Sequence, residues 1–290
     1  MNTKNWFPGH MKKASNKIKD QLSIVDFALV LLDSRAPLSS INRDLLYILN
    51  GKPTLIFLNK SDLCDKEETI KWAEYFTRSN TKVIFINSKT KIKADVIAYL
   101  KELTYEKRKK ALSKGIKNPI FTGMVLGVPN VGKSTFINAI INKKRLNAEN
   151  RPGVTRNIDT IKIDDQFYLL DTPGILEPKY VNEEQFFNLA IVGSVKKDIL
   201  DLSEINQYIF KVLHSYYKEN FVNFYSRFDV NKCLNYNEFI ENLAASYIAK
   251  LKNDTLNIDE AEIRFFCDFR DGKITKYTLD RMSKYAEWRW

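Results

Sequence analysis

Histidine is nearly missing from this chain, with two in 290 residues. Cysteine is scarce as well. Its three copies (Cys64, Cys233 and Cys267) are odd in number and far apart, and they form no CxxC. A His/Cys zinc centre and a disulfide framework are thereby excluded, and the thiols read as reduced groups of a cytoplasmic protein. Long apolar runs are absent. The longest, Phe27 to Leu32, has six residues, against the roughly 20 that a membrane-spanning helix needs. The opening MNTKNWFPGHMKK has no apolar stretch before a small-residue cleavage site, so no secretory leader is expected. Neither an internal repeat nor a low-complexity segment is visible.

Positive charge is plentiful and uneven. The net charge is +11, yet residues 186–290 hold 15 basic and 15 acidic side chains, so the whole excess lies in the first 185 residues. Two blocks carry most of it: Met1–Ile24, with five Lys and one Asp, and Thr90–Asn118, with nine basic and three acidic residues. Such blocks suit contact with a polyanion such as RNA, and equally suit a solvated face.

The pattern along the chain predicts an α/β protein with a helical tail. Met11, Ala14, Ile18 and Leu22 share one helical face in the basic N-terminal segment. Val25–Leu32, ending at Asp33, reads as a strand buried on both faces, and Thr54–Leu58, Lys82–Ile86 and Phe121–Leu126 read the same way. Helix-length segments lie between them at Ser39–Leu49, Lys66–Arg78 and Ala94–Leu112, which implies a mostly parallel sheet with helices on both faces. Asn157–Ile163 and Gln166–Leu170 read as an added hairpin. Beyond about residue 185 the period becomes helical: Ile205, Ile209, Val212, Leu213 and Tyr216; then Phe239, Leu243, Tyr247 and Leu251; then Phe265, Phe266 and Phe269. These predict a small all-helical domain with an aromatic core, and hence domains at 1–185 and 186–290. Asp229-Val230-Asn231 has Leu234 where a calcium loop needs glycine, so an EF-hand is rejected.

Gly127-Val128-Pro129-Asn130-Val131-Gly132-Lys133-Ser134 completes the pattern GxxxxGK[ST] between a strand and a helix beginning at Ser134. Glycines let the backbone curl its N–H groups around phosphate oxygens, and the helix N-terminus adds partial positive charge. Asn130, Val131, Gly132, Lys133, Ser134 and Thr135 are therefore candidate nucleotide contacts. Lys133 should reach the β- and γ-phosphates, and Ser134 should ligate Mg²⁺. Asp171-Thr172-Pro173-Gly174 follows the last strand, placing a carboxylate near the metal and the Gly174 N–H near a γ-phosphate. Asn59-Lys60-Ser61-Asp62 caps the second strand. A carboxylate at Asp62 accepts from guanine N1–H and N2–H₂, a donor pair that adenine lacks, while Lys60 packs over the ring. Asn87-Ser88-Lys89 caps the third strand, with its backbone near guanine O6.

These motifs stand in an unusual order, with NKSD and NSK before the phosphate loop, then RPGVTR at 151–156 and DTPG. Together with Trp6-Phe7-Pro8-Gly9-His10-Met11 and Asp33-Ser34-Arg35-Ala36-Pro37, the chain resembles the circularly permuted TRAFAC GTPases of the bacterial ribosome-biogenesis family often called RbgA or YlqF. The resemblance implies a permuted P-loop GTPase domain that hydrolyses GTP to GDP. It also implies Mg²⁺ held by Ser134, Thr155 and Asp171, and action on a large ribosomal subunit precursor and its rRNA. The protein would be cytoplasmic, monomeric off the ribosome and without stable membrane association. Thr155 matches the switch I threonine, following a polar stretch from Lys143 to Arg151 expected to move without nucleotide. Ile175 stands where many GTPases place a water-orienting glutamine, so hydrolysis should be slow unaided. His10 is the family's candidate for the missing group, or else a residue contacting RNA phosphate. Asn130 is the candidate K⁺ ligand, or else a side chain satisfying the loop. Catalytic candidates are thus His10, Lys133, Thr155 and Gly174. Arg264, Arg270, Lys273 and Lys276 are a candidate basic patch on the otherwise neutral tail. A nucleotide-dependent RNA-binding scaffold, or a GTPase acting on another RNA, are the alternatives.

Overall fold

Seven consecutive buried residues, Phe27–Asp33, form the central strand β1. The computed structural model describes residues 23–41, 49, 51–77, 81–141, 160–170, 182–195, 201–248 and 255–285. Side chains along a strand alternate in direction, and β1 feeds two cores in that way. Phe27, Leu29 and Leu31 join one apolar cluster, while Ala28, Val30 and Leu32 join another. The remaining strands are β2 (Thr54–Asn59), β3 (Lys82–Phe85), β4 (Phe121–Leu126), β5 (Thr160–Lys162) and β6 (Phe167–Leu170). Their order is β3-β2-β1-β4-β6-β5, parallel throughout except for the β5–β6 hairpin. β1 pairs with both β2 and β4, so the loops leaving these three strands meet. Connections run one way from β1 to β3 and the other way from β4, and an open α/β sheet forms its crevice at such a reversal.

Helices cover both faces. α1 (Lys66–Thr77) buries Trp72 and Phe76 on the Ala28 side. α2 (Lys93–Leu103) buries Val96 and Leu100 on the Phe27 side, where α4 (Lys133–Ile140) sets the Phe136 ring 5.1 Å from Phe57. The single helix expected over Ala94–Leu112 is instead two, α2 and α3 (Tyr105–Ser113). Thr104 interrupts it: its hydroxyl donates to the Leu100 carbonyl at 2.8 Å, a back-bond that bends helices.

The tail contains α5 (Glu183–Ile191), α6 (Leu202–Tyr216), α7 (Lys218–Phe224), α8 (Tyr236–Tyr247) and α9 (Ile258–Arg270). Asn182, Asp201, Asn235 and Asn257 cap α5, α6, α8 and α9 through side-chain oxygens, satisfying N–H groups that a helix start leaves unpaired. Phe221, Phe239 and Phe265 form the centre, with rings 4.8 to 6.1 Å apart. The aromatics therefore serve as a core. Tyr216, expected on the inner face of α6, is 40% exposed, and Tyr217 is the buried ring. The chain leaves the helix there, which turns Tyr217 inward to hydrogen-bond Asp65 at 3.1 Å. The expected basic patch is largely neutralised. Arg264 and Lys273 pair with Asp268 at 3.4 and 2.9 Å, and Arg270 pairs with Asp271 at 2.9 Å.

The expected N-terminal helix, the segment 42–48, strand residues 157–159, the stretch 143–151 and Leu251 lie outside the described residues. Among the described residues no helix is long and apolar enough to cross a membrane.

Helical tail and sheet are joined through Asp280. Its buried carboxylate accepts from the Ser39 amide (2.8 Å), the Ser39 hydroxyl (2.5 Å) and Asn188 Nδ2 (2.9 Å), while its carbonyl accepts from the Trp72 indole (2.9 Å). Burial pushes the Asp280 carboxyl up to about 6, against the downward pull of Ser39 and Asn188. A carboxyl whose pKa rises on folding contributes stability below its unfolded value of 3.8, and that contribution is lost as pH rises through about 6. In urea denaturation at pH 5 and pH 7.5, the stability advantage of wild type over Asp280→Asn should shrink by about 1 kcal/mol at the higher pH. A constant difference would show an ordinary carboxyl.

Candidate functional site

The loop between β4 and α4 begins the site. Gly132 adopts φ +104, and a Cβ there would lie 2.4 Å from Asn59 Nδ2. Only glycine permits both that backbone and that approach. Among the described residues, the non-glycine residues with positive φ are Lys60 (φ 60) and Asn130 (φ 56). Both belong to this site, where such strain, of order 1 kcal/mol, is concentrated in proteins generally. Lys133 opens α4 and folds back, donating from Nζ to the Gly127 and Val128 carbonyls at 2.8 Å each. Burial lowers its pKa to about 8. Ser134 and Thr135 are exposed on the first turn, and Val131 is buried beneath the loop.

Asn59, at the end of β2, ties three loops together. Its Nδ2 donates to the Val131 carbonyl at 2.8 Å. Its Oδ1 accepts from the Ser88 amide at 3.1 Å and the Ser88 hydroxyl at 2.8 Å. Lys60 adds a second tie, donating from Nζ to the Asn130 carbonyl at 2.9 Å. Asn87 accepts from the Lys89 amide at 3.0 Å, shaping the next turn. These residues border a cavity of about 300 Å³ that runs from Asp62 and Lys89 to Gly132 and Thr135. Of the predicted contacts, Asn59, Lys60, Asp62, Asn87, Ser88, Lys89, Asn130, Gly132 and Thr135 line this cavity, whereas Val131, Lys133 and Ser134 belong to the same loop and helix start without lining it. Asn130 points its Nδ2 at the Gly193 carbonyl, 2.6 Å away. That contact satisfies the loop, and it leaves Oδ1 as the atom a cation would use. His10, Thr155, Asp171 and Gly174 lie outside the described residues.

Five residues at the cavity were not singled out from sequence as site residues: Arg35, Leu63, Val192, Arg270 and Asp271. With Asp33, Arg35 forms a two-bonded fork, Nε to Oδ1 at 2.9 Å and Nη2 to Oδ2 at 2.8 Å. Lys60 Nζ meets the same carboxylate at 2.8 Å. Burial alone would raise the Asp33 pKa, but the two cations outweigh it and hold the carboxyl well below the usual range. The available signal was two charged residues closing an apolar strand. Sequence offered Arg270 only as part of a basic patch on the tail, and nothing in it places Arg270 and Asp271 at a cavity with Arg35, about 235 residues away.

Chemically, a curled loop at a helix N-terminus with a lysine ammonium suits polyphosphate. A carboxylate at the opposite rim suits a planar base with two adjacent donors.

Comparison with known proteins agrees with this geometry. A family profile described as "50S ribosome-binding GTPase" matches residues 122–223. Ribosome biogenesis GTPase A of Bacillus cereus is 33% identical, covering 97% of this chain and 95% of its own length. That of Priestia megaterium is 32% identical, covering 97% and 98%. Among solved structures, GDP-bound YlqF aligns with a TM-score of 0.62 at 25% identity, covering 92% of this chain and 99% of its own. GNP-bound YlqF of T. maritima gives 0.61 at 25%, covering 93% and 98%. The chain belongs to the ribosome biogenesis GTPase A family.

A lysine with a pKa of about 8 is partly neutral at that pH, and a bound phosphate would restore its proton. GDP affinity should fall about fourfold from pH 7 to pH 8.5. Calorimetry at pH 8.5 in two buffers of different ionisation enthalpy should show fractional proton uptake. A buffer-independent enthalpy would mean that Lys133 is already charged.

Proposed function

We propose that this GTPase assists late assembly of the large ribosomal subunit, binding the precursor and its rRNA in the GTP state and leaving after hydrolysis that the subunit stimulates. The observation that carries the nucleotide reading is the triple tie at Asn59, which holds the NKSD and NSK turns against the phosphate loop. The names of the relatives support the ribosomal part.

In this reading Asp62 accepts from guanine N1–H and N2–H₂, Lys60 covers the ring, and Asn87, Ser88 and Lys89 border O6. Asn130 to Thr135 wrap the phosphates, and Lys133 exchanges its two carbonyl partners for β- and γ-phosphate oxygens. Mg²⁺ would be held by Ser134, Thr155 and Asp171, where it offsets phosphate charge. The exposed Ser134 hydroxyl at the α4 start fits such a role. K⁺ would use Asn130. Water attacks the γ-phosphorus, the bond to the β-bridging oxygen breaks, and the water's protons pass to the products. Gly174 meets the γ-phosphate, Thr155 closes over it, and His10 orients the water that Ile175 cannot. The nucleotide unit spans residues 1–185 and an RNA-contacting helical unit spans 186–290, a division supported by the tail's own aromatic cluster, with α5 crossing the boundary and Ala36 of the nucleotide unit packing into that cluster. The protein works in the cytoplasm as a monomer off the ribosome.

GTP turnover in potassium buffer should rise at least tenfold with purified large subunits and stay unchanged with small subunits. His10→Ala should remove that stimulation and leave GDP affinity intact. Tight guanine binding without stimulation by either subunit would favour a scaffold, and stimulation by the small subunit alone would redirect the search to another RNA.

A further inference from the structure

The cavity assigned above to the nucleotide is not built by the sheet and its loops alone. Arg270 and Asp271, where α9 ends, line it together with Asp62 and Lys89. Arg270 Nε pairs with Asp271 Oδ1 at 2.9 Å, and Asp271 is exposed. This turn is seated on the base-reading side by a dense set of contacts. Arg35 Nη1 donates to the Arg270 carbonyl at 2.8 Å and to the Tyr277 hydroxyl at 3.1 Å. The Tyr277 hydroxyl in turn donates to the Arg270 carbonyl at 3.1 Å. The Tyr277 amide donates to the carbonyl of Leu63, which directly follows NKSD, at 3.1 Å, and the Leu279 amide donates to the Arg35 carbonyl at 2.7 Å. Gly272, at φ +68, lies against Leu63, and a Cβ there would come within 3.3 Å of it.

We propose that the helical tail supplies a wall of the nucleoside end of the pocket, and that Arg35 is the positioning residue that seats it. The proposal rests on the guanine-nucleotide reading of the cavity. Arg35 faces two ways. Through Asp33 it fixes Lys60, which reaches the phosphate loop at the Asn130 carbonyl. Through the Arg270 carbonyl and Tyr277 it fixes the Arg270–Asp271 turn. The planar five-donor guanidinium serves both directions at once, whereas a lysine offers one point charge and no fork. Nucleotide binding and seating of the tail therefore favour each other, and the coupling is reciprocal by linkage.

The test compares wild type, Arg35→Lys and Tyr277→Phe, each checked for fold by circular dichroism. GDP, ADP and inorganic pyrophosphate are titrated onto each full-length chain. Tyr277→Phe keeps the ring that stacks on Phe269 at 4.1 Å and removes only the hydroxyl, so it decides the question should Arg35→Lys fail to fold. GDP affinity should fall about tenfold in both variants. In Tyr277→Phe, pyrophosphate, which meets the phosphate loop and not the nucleoside wall, should change less than about twofold by the same reasoning. In wild type, GDP should also slow amide exchange at Tyr277 and Leu279, and the variants should lose most of that protection. Unchanged GDP affinity in the folded variants, or an equal loss for GDP and pyrophosphate in Tyr277→Phe, would overturn the proposal. A wild type that shows no preference for GDP over ADP would instead defeat the nucleotide reading on which it rests.

Discussion

A carboxylate buried at the end of the central strand must recruit cations, because an unpaired charge in that setting costs several kcal/mol. Asp33 is that carboxylate, and its demand organises the middle of the molecule. Lys60 is drawn to it from the end of β2 and Arg35 from the next turn of its own chain. Lys60, held there, also reaches the phosphate loop, and Arg35 reaches the helical tail. Three loops and a distant helix end thus converge on one buried charge. Such a cluster is weak evidence for net stability, since desolvation offsets much of the attraction. Its firmer consequence is placement, because removing Asp33 would leave the buried Arg35 without its partner, and removing either cation would leave the carboxylate with one partner and the two neighbouring loops untied.

The neutral counterpart is Asn59, whose amide satisfies donors and acceptors from two other loops with a single side chain. Gly132 makes that reach possible by having no Cβ. The strand order makes it necessary. β1 lies between β2 and β4, so the loops carrying NKSD and the phosphate motif stand on either side of Asp33 although about 70 residues separate them. Permuting the chain changes which motif comes first and leaves this neighbourhood intact.

Much of the architecture was legible in advance because its causes are local. Continuous apolar runs announced the strands, and their boundaries fell within a residue or two of the pattern. β1, β2 and β4 are covered on both faces as expected, but β3 lies at the sheet edge and leaves Lys82 and Phe85 exposed, because it has a neighbour on one side only. Aromatics at helical spacing announced Phe239 and Phe265 in the tail's core, which Phe221 joins. The departures also have local causes, which composition and periodicity do not register. Thr104 splits one expected helix by bonding its own backbone. The chain leaves α6 at Tyr217 and exchanges the roles of two adjacent tyrosines. The apparent basic patch of the tail is reduced because Asp268 and Asp271 pair with Arg264, Lys273 and Arg270.

By itself, then, the sequence determined the sheet, the helical tail and the residue types proposed to face a guanine nucleotide, from Asn59 and Asp62 to Lys133 and Ser134. Those depend on period, on turn chemistry and on short motifs with fixed spacing. Tertiary structure alone decided that Arg270 and Asp271 share the cavity, that Asp280 joins tail to sheet, and that Asp33 sits between two cations. These are contacts between groups up to some 240 residues apart. No local pattern encodes them, because each is fixed by where the strand order and helix packing bring the chain back together.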